Sequence, residues 1–119
     1  MTISTSTLEK RVISYLKKIG VPANLSGYYY LRYAIQLCYD DFLNIRAITK
    51  RLYPSIANHF ATTSNRVERA MRFAIEVSFN RCSPDLIEEI FGYTVSEKKG
   101  KPTTSEFIAT IVDCIHLED

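Results

Sequence analysis

At 119 residues the chain has room for one domain and little more. Its 46% hydrophobic and 24% charged residues are the balance of a globular protein, and no apolar run approaches the roughly 20 residues of a spanning helix. The net charge of +2 is unevenly spread: residues 46–82 carry seven basic and two acidic side chains, net +5, and residues 83–119 carry three basic and eight acidic, net −5. A basic middle beside an acidic end fits either a polyanion-facing surface or ordinary solvated helix faces.

Leu8, Val12, Tyr15, Leu16 and Ile19 recur at helical spacing, with Gly20 as the C-cap and Val21-Pro22 as the stop. Charges among these positions (Glu9, Lys10, Arg11, Lys17, Lys18) break any signal-peptide core. Ser26 is a candidate cap for a second helix carrying Leu31, Ala34, Ile35, Cys38 and Tyr39. Asp40-Asp41 ends that helix or caps the next, and Ile45, Ile48, Thr49 and Leu52 suggest another short one. Pro54 fits the first turn of a helix that ends at Phe60. After the turn Ala61–Ser64, the positions Val67, Ala70, Met71, Ala74, Ile75 and Ser78 form the clearest amphipathic pattern in the chain. Ser83-Pro84 starts a helix running to Gly92, residues 93–102 read as a basic loop, and Thr103 with Glu106 has capping-box spacing ahead of Phe107, Ile108, Ile111, Val112 and Ile115. Six or seven helices without a convincing strand make the chain all-α.

No catalytic constellation emerges. Cys38, Cys82 and Cys114 form no C-x-x-C pair and read as small buried hydrophobes in a reducing cytosol. His59 and His116 lie near no nucleophile motif, and the glycines build no phosphate loop. The expectation is a cytoplasmic protein that is not an enzyme, with no cofactor and no metal.

Residues from about 54 to 80 read as a helix-turn-helix. Ala57 is small enough for the helix crossing, and Ile56 and Phe60 face Val67 and Ala70 across it. The outer face of the second helix then carries Asn65, Arg66, Glu68, Arg69 and Arg72 near its N-terminal end. Arginine matches the O6 and N7 acceptors of guanine, and glutamate accepts from the amino group of cytosine, so these residues suit major-groove reading. The turn departs from the common form: a left-handed residue is needed where Ala61 stands, at a cost of roughly 1 kcal/mol.

The stretches IGVPA (19–23), GYYYLRYAI (27–35), AITKRLYPSIA (47–57), TTSNRVERAMRFAIEV (62–77), IFGYTV (90–95) and KGKPTTSEFIA (99–109) resemble the DNA-binding effector domain of the sporulation stage-zero response regulator. The resemblance spans nearly the whole chain in unbroken order. It implies a six-helix domain over residues 1–119 without the phosphorylatable receiver that accompanies it in the family, as in an excised effector domain or a truncated homologue. The implied function is sequence-specific transcription regulation at entry into sporulation, as activator or repressor, on a short TGTCGAA-like box in double-stranded DNA.

The resemblance also implies residue roles. Arg66, Glu68 and Arg69 correspond to base readers, with Asn65 and Arg72 beside them. Lys98, Lys99, Lys101 and Ser105 are candidate phosphate contacts. The stretch from Phe79 to Phe91, including Arg81 and Glu88, resembles a surface for RNA polymerase sigma factor. The implied assembly is a monomer in solution and a tandem dimer on DNA, with no membrane contact. Departures from the family's usual residues fall at Asn58 and His59 (often lysines), Ala61 (often asparagine), Phe73 (often histidine) and Phe79 (often tryptophan). The competing reading is a helical protein-interaction module that binds a sigma factor or another regulator without DNA, supported by the acidic end and by Phe73 on a polar face.

Overall fold

The computed structural model describes residues 3–92 and 100–118. Helix α1 (Thr5–Ile19) opens on Ser4, whose hydroxyl accepts the Thr7 N–H, and closes on Gly20 at φ 91°. Helix α2 (Ser26–Asp40) starts without a side-chain cap: Leu25 holds the cap position and Ser26 is already helical, so the expected serine cap is not made. Asp41 takes both roles foreseen for the acidic pair. It ends α2, and its carboxylate accepts the Leu43 N–H at 3.0 Å where α3 (Leu43–Arg46) begins.

The short helix expected over Ile45–Leu52 is split in two. Ala47, at φ −118° and ψ 47°, interrupts α3, and a π-helical turn (Ile48–Leu52) follows. The Ala47 carbonyl accepts the N–H groups of both Arg51 and Leu52, at 2.7 and 3.4 Å. The widened turn carries Leu52 into the core and leads directly into α4 (Tyr53–His59), with Pro54 in its first turn. Then come α5 (Ser64–Arg81), α6 (Pro84–Phe91) and α7 (Thr104–Leu117). Ser83 caps α6 through the Leu86 N–H. The capping box of α7 is complete: the Thr103 hydroxyl accepts the Glu106 N–H at 3.2 Å, and the Glu106 carboxylate accepts the Thr103 N–H at 2.8 Å. Seven α-helices and no strand among the described residues make the all-α architecture.

Helix α2 is the centrepiece, packed against α1, α5 and α7. Leu31, Ile35, Leu16, Val12, Met71, Ile75, Phe107, Ile108 and Ile111 meet in one contiguous core, and burial of each such side chain stabilises the fold by about 1.5–3 kcal/mol. The approach of α2 to α5 depends on Gly27. A Cβ at this position would meet the Ala70 carbonyl and come within 2.8 Å of the Ala74 Cβ. Buried Asn44 is satisfied by donating to the Leu37 and Asp41 carbonyls, which tie α3 to the end of α2. Cys38 is buried as expected, whereas Cys82 and Cys114 are only half-buried. Burial raises the Cys38 thiol to about 12, which leaves it unreactive.

Candidate nucleic-acid interface

The interface is built on α4, the turn after it, and α5. Helix α4 ends in a Schellman motif: the Thr62 N–H donates to the Ala57 carbonyl at 2.9 Å, and the Ala61 N–H donates to the Asn58 carbonyl at 3.4 Å. That motif puts its penultimate residue in the left-handed region, and Ala61 lies there at φ 55°, the only non-glycine with positive φ among the described residues. Helices α4 and α5 pack together, with Ala57, Ile56 and Val67 buried and Phe60 and Ala70 half-buried. The turn closes on Thr63, whose hydroxyl accepts the Arg66 N–H at 3.2 Å and starts α5. Beside the turn, Asn58 is exposed and the His59 ring stacks on Tyr33 at 4.1 Å.

The first turn of α5 carries no acidic residue to complement the helix dipole. It carries Arg66 instead, with Arg69 one turn on. Both are exposed, and neither forms an ion pair with a described residue. A cation near a helix N-terminus opposes the dipole by about 0.3–1 kcal/mol at low ionic strength, and an incoming anion reverses that sign. Val67, Met71, Ala74, Ile75 and Ser78 bury the opposite side of the helix. The outward stripe is therefore Asn65, Arg66, Arg69, Arg72 and Phe73, all exposed. Phe73 is 55% exposed, unusual for a phenylalanine in the middle of a long helix.

Glu68 is set apart from the arginines expected to read with it. It is half-buried and pairs with Arg72 at 3.4 Å. It also faces Tyr53, whose hydroxyl is held above its ordinary pKa by burial and then by the Glu68 charge. Lys101 reaches back to Glu76 of α5 at 2.6 Å, and this bond holds the Glu76 carboxyl below its ordinary value. Ser105, in the first turn of α7, is half-buried and lies 3.4 Å from the Thr103 hydroxyl. The candidate phosphate contacts Lys101 and Ser105 thus border a groove of about 530 Å³ that Glu68, Arg72 and Glu76 line from α5. Lys98 and Lys99 lie outside the described residues. The Lys101–Glu76 pair was not foreseen, because nothing local links residues 25 positions apart.

The four residues expected to meet a sigma factor separate into two kinds. Arg81 and Glu88 are exposed. Phe79 and Phe91 are not surface residues: they are 8% and 3% exposed, their ring centroids lie 5.1 Å apart, and the Phe91 ring stacks on Phe107 at 5.6 Å. Both rings lie on the inward sides of their helices, where they seal α5 and α6 onto α7.

A family model described as "Sporulation initiation factor Spo0A C terminal" matches residues 12–115 of the chain. The chain belongs to that family. It is accordingly a DNA-binding effector domain of a sporulation-initiation response regulator, from a family of transcription regulators and not of enzymes. Among the described residues no helix is long and apolar enough to cross a membrane, and no histidine, cysteine or carboxylate cluster could hold a metal ion. The match covers every element described above except the start of α1 and the end of α7.

Proposed function

We propose that residues 1–119 form one effector domain that reads a short TGTCGAA-like box through the major groove, with α4 and α5 as its helix-turn-helix. The observation that carries this reading is that Arg66 and Arg69 are exposed toward the uncompensated N-terminal end of α5, with no ion pair to a described residue. Each presents a planar fork suited to guanine, and together they give the outward stripe a positive centre. Asn65 and Arg72 flank them. Glu68 accepts from cytosine once Arg72 swings from it toward a phosphate, an exchange that costs little because the Arg72 side chain is mostly exposed and an i,i+4 surface pair is weak. Lys101 and Ser105, together with Lys98 and Lys99, supply phosphate contacts at one side of the groove. Such a domain works in the cytoplasm beside the chromosome, activating or repressing according to where its box lies.

Exposed Arg81 and Glu88 are the part of the 79–91 surface available to a sigma factor. The domain is a monomer without DNA and occupies two boxes in tandem, one protomer per box, where binding of one raises the effective concentration of the next. The test is a selection from random duplexes, followed by titration of one-box and two-box duplexes over a range of salt. Recovery of a TGTCGAA-like site, a steep fall in affinity with salt and cooperative filling at one spacing are expected. Recovery of no preferred sequence, with affinity for duplexes indifferent to salt, would favour the protein-interaction module instead.

A further inference from the structure

The structure leaves an aromatic ring at the far end of a cationic stripe, beyond Arg66, Arg69 and Arg72. In an α-helix successive residues turn by about 100°, so Arg69 lies about 60° to one side of Arg66, and Phe73 about 20° to that same side. Phe73 therefore projects between the two arginines in azimuth, about 10 Å farther along the axis from Arg66. It is 55% exposed, and no aromatic contact of its ring with a described residue is present. An exposed phenylalanine costs solubility and contributes nothing to the core, which Val67, Met71, Ala74 and Ile75 fill from the opposite side of α5.

From this position we infer that Phe73 is a specificity-determining residue that packs on the 5-methyl group of a thymine in the major groove. The inference rests on the DNA-reading role proposed for α5. A partner that lies along the stripe covers Phe73 together with Arg66 and Arg69, which calls for a polyanion with an apolar group on its inner surface. DNA offers that combination: phosphates line the rim of the groove, and the thymine methyl is the principal apolar group among the base edges on its floor. A phenylalanine gains nothing from a phosphate, so its preferred neighbour is the methyl rather than the backbone. The reading face of α5 thereby extends two turns beyond its N-terminal end, with polar recognition by the arginines followed by apolar recognition by Phe73.

Thymine-to-deoxyuridine replacement removes that methyl group and nothing else. The duplex recovered by selection is prepared with each thymine of either strand replaced singly, and each version is titrated with the native domain and with Phe73→Ala. One replacement should weaken the native domain about fourfold, the worth of one buried methyl. Phe73→Ala should weaken binding to the parent duplex by at least as much and make that same replacement silent, with an unchanged thermal midpoint. Binding of the parent duplex by Phe73→Ala at native strength would overturn the inference. So would an equal effect of every replacement on both proteins. Arg66→Ala and Arg69→Ala, run in parallel, separate the two levels. If they lose base preference while Phe73→Ala changes nothing, the DNA reading stands and the methyl contact falls; if all three variants treat every duplex as the native domain does, the DNA reading falls as well.

Discussion

Arg66 stands at an unfavourable helix end, and neither it nor Arg69 is paired with a described residue, so their variants separate base reading from phosphate attraction. Arg66→Ala and Arg69→Ala should each lower affinity for the selected box by about 1–3 kcal/mol and relax preference at one base pair. Affinities for the box and for its single-base variants check this, since a phosphate contact alone would weaken all of them equally. Ala61 shows the opposite relation between a residue and its surroundings. Its left-handed backbone is imposed by the Schellman bonds of Thr62 and of Ala61 itself, and alanine gains nothing from that conformation. Ala61→Gly should therefore stabilise the domain by up to about 0.5 kcal/mol, the relieved strain less the extra entropy of the unfolded chain. The urea midpoint should rise with an unchanged slope.

The elements differ in how far their residues announced them. Gly20, Ser83-Pro84 and Thr103-x-x-Glu106 mark helix ends through bonds made within a few residues, and each works as read. Ser26 has the chemistry of a cap, but the chain turns helical one residue too early for it to serve. The π-helical turn rests on two carbonyls that each accept from five residues on, Ala47 from Leu52 and Ile48 from Tyr53, and it seats Leu52 in the core. Within the interface, the exposed arginine stripe was legible because it is the complement of the buried heptad-like positions of α5. The inward turn of Phe79 and Phe91 was not, since an aromatic at a helix end gives no sign of which neighbour will cover it. Gly27 belongs to this non-local class, its partner Ala70 being far along the chain. Gly27→Ala should force α2 and α5 apart and cost about 3 kcal/mol, because the obstructing atom is backbone and cannot rotate away. Chemical denaturation checks this, and a loss under 1 kcal/mol would mean that the two helices part easily.

At the scale of the molecule, two of the ion pairs that join separate segments also hold the carboxyls they engage below their ordinary values. Asp41 accepts the Leu43 N–H and pairs with Arg51 at 3.1 Å, and Glu76 is bound by Lys101. Both carboxyls are thereby held below their ordinary values of 3.8 and 4.5. In the unfolded chain each takes up its proton at the ordinary value, and in the fold only at lower pH. Their contribution to stability is complete above about pH 5 and is lost as pH falls through the ordinary value to the folded one. The melting temperature should decline across that window, and Lys101→Ala should remove part of the decline. The groups are solvent-exposed, so the effect is small and shrinks further with added salt.

The close seat of α5 on Gly27 has a thermodynamic consequence for binding. With Ala70 against the glycine backbone and Ala74 beside it, the angle of α5 is set by α2, which is itself fixed between α1 and α7. On the proposed reading, the arginines and Phe73 arrive at DNA on a helix whose ordering was completed when the domain folded. Their association is a docking of formed surfaces, and its heat-capacity change reflects only the area covered at the interface, without the larger increment of a segment that folds as it binds.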